Sequence, residues 1–173
     1  MTWLSASAAN SSYTAVNGGS KLEFTGIQAG AEFKGTFHAY TAAVDFDPEA
    51  LERARIEVQI QLASVDTQDK DRDQTIRGRD IFDTAHFPTA RYVTRSIVKS
   101  GSGYTAIGAL TLRGITKDVP ISLQFVPSGQ SAKLVGTAQL KRLDFGVGQG
   151  DWKSTEWIAD PVKISFALVL NPK

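Results

Sequence analysis

Side chains in this chain alternate between apolar and polar with a period of two, a pattern that commits most of its length to β-strands. Ile56, Val58, Ile60 and Leu62 alternate with Arg55, Glu57, Gln59 and Gln61. Ile121, Leu123 and Phe125 enclose Ser122 and Gln124, and Val162, Ile164, Phe166, Leu168 and Leu170 follow the same rule. Successive strand residues point to opposite faces, so each run reads as a strand with one buried and one wet side. Weaker alternation over 22–27, 31–46, 90–98, 104–113 and 134–145 brings the total to about eight strands. Gln28-Ala29-Gly30, Ser100-Gly101-Ser102-Gly103, Gly114 to Asp118 and Pro127-Ser128-Gly129 supply the turns. Such short links predict an antiparallel meander, closed into a barrel or folded into a sandwich to hide its edges. The segment 31–46 is too long for one straight strand, and its apolar phase shifts between Phe37 and Tyr40, so a bulge or bend is expected near Gly35.

Helical signals are confined to two places. Asp47-Pro48-Glu49 sets an N-cap acid before a proline, predicting one or two turns over Pro48 to Arg53. Residues 66–88 break the alternation and carry the densest charge, with a short helix expected around Arg72 to Arg77; a connection this long in a compact domain is usually functional. The 173 residues suit one domain, taken as 12–173 behind a flexible tail over 1–11. Met1 to Asn10 has neither the basic start nor the apolar centre of a signal peptide, and reads as a tail or as what stands in place of a removed targeting or membrane segment.

Composition narrows the chemistry. The absence of cysteine excludes a disulfide framework, thiolate metal sites and a cysteine nucleophile. Nineteen basic against 18 acidic residues, with no basic run, argue against nucleic acid and favour a neutral or apolar small partner. The apolar stretch Ile164 to Leu170 falls far short of the ~20 residues of a membrane helix, so the chain is not expected to span a bilayer. Asp69, Asp71, Asp73 and Asp80 imitate a calcium loop, but Gln74 replaces its glycine, the last ligand is not Glu, and four cations are interleaved; a salt-bridged turn or a solvated face fits better, and no metal is expected. His38 and His86 are too few for a histidine metal site and read as structural. No G-x-S-x-G elbow exists, so no catalytic residue is assigned. Gly146, Gly148 and Gly150 lack the following helix of a phosphate cradle and read as a flexible rim loop carrying Trp152 and Trp157. Nine Phe, four Tyr and three Trp remain, spread over almost every element; an eight-stranded barrel either packs such side chains in its interior or uses them to line a slim ligand site.

Several segments in order resemble the YceI family of lipid-binding proteins. They are Gly35-Thr36-Phe37 through Val44-Asp45-Phe46-Asp47-Pro48, Ser64-Val65-Asp66-Thr67, Arg72-Asp73, Asp80-Ile81-Phe82-Asp83 and Phe87-Pro88. Gly108 to Lys117 and Arg142-Leu143-Asp144-Phe145-Gly146-Val147-Gly148 ahead of Trp152 continue the series. The chain departs from the family pattern at Thr75-Ile76 (often His-Leu), at Ile81-Phe82 (often Phe-Phe) and at Tyr13 (often Trp), which bears on the pocket more than on the fold.

The resemblance implies an all-β fold, an extended antiparallel eight-stranded lipocalin-like barrel with one or two short helices. It further implies a polyisoprenoid or the isoprenoid tail of a quinone such as ubiquinone as ligand, no required cofactor, a periplasmic or secreted setting and a homodimer. The Gly-Val-Gly-Gln-Gly-Asp-Trp ending resembles the subgroup whose domains accompany a membrane b-type diheme cytochrome. The resulting expectation is a non-catalytic carrier, storage or sequestering protein, with a quinone-linked redox accessory or enzyme as the alternative. Expected lining residues are Phe37, Phe46, Ile60, Phe82 and Phe87, together with Leu112, Leu123, Phe125 and Phe166. The loop from Asp66 to Pro88 is expected to cap one end. Arg72 and Arg113 are the candidates for a polar head group, with an ion pair from Arg72 to Asp73 or Asp80 as its preferred role.

Overall fold

A computed structural model describes residues 11–173; apart from Ser11, the tail expected over 1–11 lies outside the described residues. Eleven strands form one antiparallel sheet: β1 (Ser12–Ala15), β2 (Lys21–Gln28), β3 (Ala31–Phe37), β4 (Tyr40–Asp45), β5 (Arg55–Gln61), β6 (Val65–Asp66), β7 (Thr89–Ser100), β8 (Gly103–Leu112), β9 (Ile115–Ser128), β10 (Ser131–Lys141) and β11 (Pro161–Pro172). β1 pairs with both β4 and β11, which closes the sheet.

The expected eight strands and the observed eleven are the same barrel. β1 and β2 lie end to end along β11, interrupted by a bulge at 16–20 in which Val169 N–H donates to Ser20 Oγ. β3 and β4 are the two halves of the long segment 31–46, and β5 and β6 are a third broken strand, pairing with β4 and β3 respectively. Three broken and five whole strands make eight staves. The break in 31–46 falls at His38–Ala39, where the apolar phase shifts, and not at Gly35, which stays in register opposite Phe24.

Inward residues follow the alternation. The Ile56, Tyr92, Ala106, Leu123, Leu134 and Leu168 side chains all point to the buried face. Helix α1 (Lys70–Arg77) begins at Asp69, whose Oδ1 accepts from the backbone N–H groups of Asp71 and Arg72 at 3.0 Å. Asp73 is buried and fixes the helix to the end of β6, accepting from Thr67 N–H at 2.8 Å and Thr67 Oγ–H at 2.6 Å. Arg77 closes the other end of the helix on the Ala63 and Val65 carbonyls. The turns predicted over Pro48 to Arg53 shrink to one 3-10 turn, Leu51–Arg53.

Candidate functional site

Four inward positions on the wall are glycines, and each lies under an aromatic ring. Phe24 and Gly35, Phe33 and Gly26, and Phe166 and Gly136 are direct cross-strand partners. In each pair the ring lies where a side chain on the glycine would stand. Tyr92 crosses Gly108 in the same way and donates its hydroxyl to the Val119 carbonyl at 3.0 Å, spanning β7, β8 and β9. Rings laid along the wall leave space along the axis. The result is a cavity of about 480 Å³, a size typical of small-molecule sites.

One end of the barrel is filled. Phe46 stacks on Phe125 with ring centroids 4.4 Å apart, Tyr104 meets Phe46 edge-on at 4.9 Å, and Tyr13 meets Phe125 at 5.9 Å. With Leu134 and Leu170 fully buried around them, these rings plug the axis. The other end opens beneath α1. Ile76, Ile81 and Phe82 from α1 and the loop after it reach the cavity, opposite Ile158 and Trp152 of the C-terminal rim loop. An aromatic series borders this end of the cavity, Phe33 to Phe24 to Phe37 to Phe82, with centroid spacings of 6.2, 5.5 and 6.1 Å.

The charged groups of the cavity gather at the mouth. Arg72 Nε donates to Gln28 Oε1 at 3.2 Å, and its guanidinium carbon stands 4.6 Å from the Phe33 ring centre. Asp69 and Asp71 stand beside it on the cavity rim. Arg142, at the end of β10, is only 4% exposed and spends all five N–H groups on main-chain carbonyls. Nε donates to Ala159, Nη1 to Val147 and Trp152, and Nη2 to Ser154 and Ile158, at 2.7 to 3.1 Å. Burial lowers its proton affinity, and Asp160 nearby works in the opposite direction. The rim loop expected to be flexible is thus wrapped around a buried cation.

Six expected lining residues, Phe37, Ile60, Phe82, Leu112, Leu123 and Phe166, border the cavity, as does Arg72. Phe46 and Phe125 do not: they belong to the plug, where large rings from several staves converge and fill the axis. Phe87 packs against Gly114 at the β8–β9 turn and does not border the cavity. Arg113 occupies that turn with φ of 53° and donates from Nη1 to the Ile81 carbonyl at 2.8 Å, facing a groove beside the mouth. The expected Arg72 ion pair with Asp73 or Asp80 does not form, because Asp73 is taken by Thr67 and Arg72 turns to Gln28 and Phe33. Phe24, Phe33, Tyr92, Arg142 and Trp152 are lining residues that sequence reasoning missed; the signal for the first three was an inward-phase glycine beside each aromatic.

The model of the YceI-like domain family matches residues 13–170, the whole barrel. The chain belongs to the YceI-like domain family. A UPF0312 protein of Shewanella denitrificans is 33% identical over an alignment of 134 positions that covers 73% of this chain and 70% of that protein. Such matches span 64 to 70% of the length of the curated YceI-like relatives from Shewanella and Vibrio. The solved structure of Burkholderia cenocepacia BcnA is 31% identical and superposes with a TM-score of 0.86, covering 90% of this chain and 98% of that one. A polyisoprenoid-binding domain from Saccharophagus degradans, 15% identical, shares the fold with a TM-score of 0.71 over 95% of this YceI-like chain and 99% of its own. Among the described residues, no helix is long and apolar enough to cross a membrane.

Proposed function

We propose that the chain holds a long-chain apolar lipid, a polyisoprenoid or the isoprenoid tail of a quinone, in the barrel lumen, and serves as a carrier, store or sequestering protein without catalysis. The cavity carries this reading: about 480 Å³ of space lined almost throughout by aliphatic and aromatic side chains, with its charged groups at one mouth. A hydrocarbon chain entering it gains about 25 cal/mol for each Å² of apolar surface removed from water, while a head group at the mouth keeps access to solvent and to Arg72. The Saccharophagus neighbour, described as a polyisoprenoid-binding domain, supports the ligand class.

Two polar groups bordering the lumen are poor candidates for chemistry. The Tyr92 hydroxyl is spent on Val119, and every Arg142 donor is spent on a carbonyl. A general acid or base needs a proton within reach of a bound substrate. A periplasmic or secreted setting, a dimer and a membrane b-type cytochrome partner belong to this proposal through the family resemblance alone.

The test is native mass spectrometry before and after organic extraction, followed by re-uptake of a prenyl alcohol. Extracted protein is expected to take the alcohol up with one-to-one stoichiometry. Ala138→Trp, which fills the lumen from the wall, and Phe37→Asp, which charges it, are expected to abolish uptake while circular dichroism stays that of a β-barrel. Folded wild-type protein that takes up no prenyl alcohol would sink the reading, and catalysed conversion of a bound quinone would replace it with the redox alternative.

A further inference from the structure

A second depression lies beside the mouth, and its chemistry is opposite to that of the lumen. It is bordered by Thr75 and Gly78 of the α1 terminus, by Arg79, Asp80 and Arg113, and by Gln149, Gly150 and Trp152 of the rim loop. Thr75 and Trp152 also border the lumen, so the groove and the lumen meet at these two residues.

Its side chains suit an anion. Arg79 is exposed and has no hydrogen-bond or ion-pair partner among the described residues. Arg113 uses one N–H on the Ile81 carbonyl, and a guanidinium has four more. Two cations against the single carboxylate of Asp80 leave the groove with a net positive charge. Space on the rim-loop side is open, since nothing lies within 4 Å of where a side chain on Gly150 would begin. The walls are held from both sides: Gln149 N–H donates to the Asp80 carbonyl at 2.8 Å, and Gln149 Nε2 to the Gly146 carbonyl at the same distance. Arg72, by contrast, is drawn to Gln28 and Phe33 and shares its side of the mouth with Asp69 and Asp71.

We infer that this groove is the head-group subsite for an anionic oxygen group, a phosphate ester or a carboxylate, with Arg79 and Arg113 as its ligands. It rests on the proposed lumen ligand: the chain runs into the barrel past Trp152, and the head turns sideways against the two guanidiniums. Bidentate N–H contacts match the geometry of such oxygens, and each charge-assisted pair of this kind accounts for about a tenfold gain in affinity.

The experiment titrates the full chain with geranylgeraniol, geranylgeranyl phosphate and inorganic phosphate, following Trp152 fluorescence in a background carrying both Trp3→Phe and Trp157→Phe. The phosphate ester is expected to bind at least tenfold more tightly than the alcohol, with an advantage that shrinks at high salt. Arg79→Gln, which has no partner to lose, is expected to reduce that advantage about tenfold and leave the alcohol unaffected. Asp80→Asn is expected to enlarge it, because it removes the one like charge. Equal affinity of ester and alcohol in the wild type overturns the inference, as does an advantage that survives both Arg79→Gln and Arg113→Gln. Inorganic phosphate binding as tightly as the ester overturns it too, making the groove a free-anion site. Failure of the alcohol itself to bind counts against the lumen reading instead.

Discussion

The ring of Phe166 on β11 occupies the space that a side chain on its β10 partner Gly136 would need. A methyl group there has to push the ring toward the axis. Gly136→Ala is therefore expected to cost about 1–3 kcal/mol from overpacking and to lower prenyl alcohol uptake. Denaturant titration and the uptake assay check the two effects separately, and full uptake in this variant would show that the ring has somewhere else to go.

Tyr92 and Gly108 make the same argument with a hydroxyl attached. Tyr92→Phe leaves the Val119 carbonyl without its donor and should cost about 1 kcal/mol. Gly108→Ala overlaps the phenol ring itself and should cost more than the loss of the hydroxyl. A smaller loss in Gly108→Ala than in Tyr92→Phe, measured by urea midpoints, would count against the close approach.

Burial, and to a lesser degree Asp118, push the Tyr92 phenol above its ordinary range. The neutral form is thus favoured in the fold, so above pH ~10 the unfolded chain loses this proton while the folded chain keeps it. Stability from this group is complete below that pH and falls as pH rises further. Alkaline unfolding of Tyr92→Phe should show a flatter decline than wild type between pH 9 and about 11.

On the acid side the sign reverses. His38 Nε2, 2.9 Å away, followed by the Gln68 backbone N–H, holds the Asp66 carboxyl below the ordinary range, and Arg91 followed by Arg55 does so for Glu57. Their contributions are present above the unfolded values of about 4 and are lost as pH falls through the depressed folded ones. Asp66→Asn and Glu57→Gln should each flatten the loss of stability below pH 4, read from denaturant midpoints at successive pH values.

Arg142→Met strips five carbonyls of their donor at once. A loss of about 3 kcal/mol or more is expected, since hydrogen bonds from a charged group are among the stronger ones. Residues 146–160 should lose amide-exchange protection before the rest of the barrel. Uniform loss across all strands would mean that the cation supports the barrel wall and not the loop.

The barrel was legible in the sequence because period-two alternation encodes which face is buried, and Val162 to Leu170 or Arg55 to Leu62 leave little freedom in that respect. The helix near Arg72 was legible from the break in that alternation. What stayed hidden was depth along the axis. Phe46 and Phe37 are both inward residues on one bent stave, yet the first is in the plug and the second in the lumen, because which end of a stave is filled depends on the rings that converge from other strands, which alternation does not record. Arg72 misled for a related reason: sequence proximity to Asp73 suggested an ion pair, but on a helix adjacent residues point apart.

Every acceptor around Arg142 is a main-chain oxygen. The lock on the rim loop therefore asks nothing of the side chains at Val147, Trp152, Ser154, Ile158 and Ala159, which can be exchanged without touching it. Gly148 is the exception, since its φ of 127° and its contact with the guanidinium admit no side chain. Shape and chemistry at the mouth are thus largely separable: the backbone path rests on one arginine, on Gln149 and Asp160, and on Gly146, Gly148 and Gly150 at positive φ, while the other side chains offered to a ligand can be rewritten residue by residue.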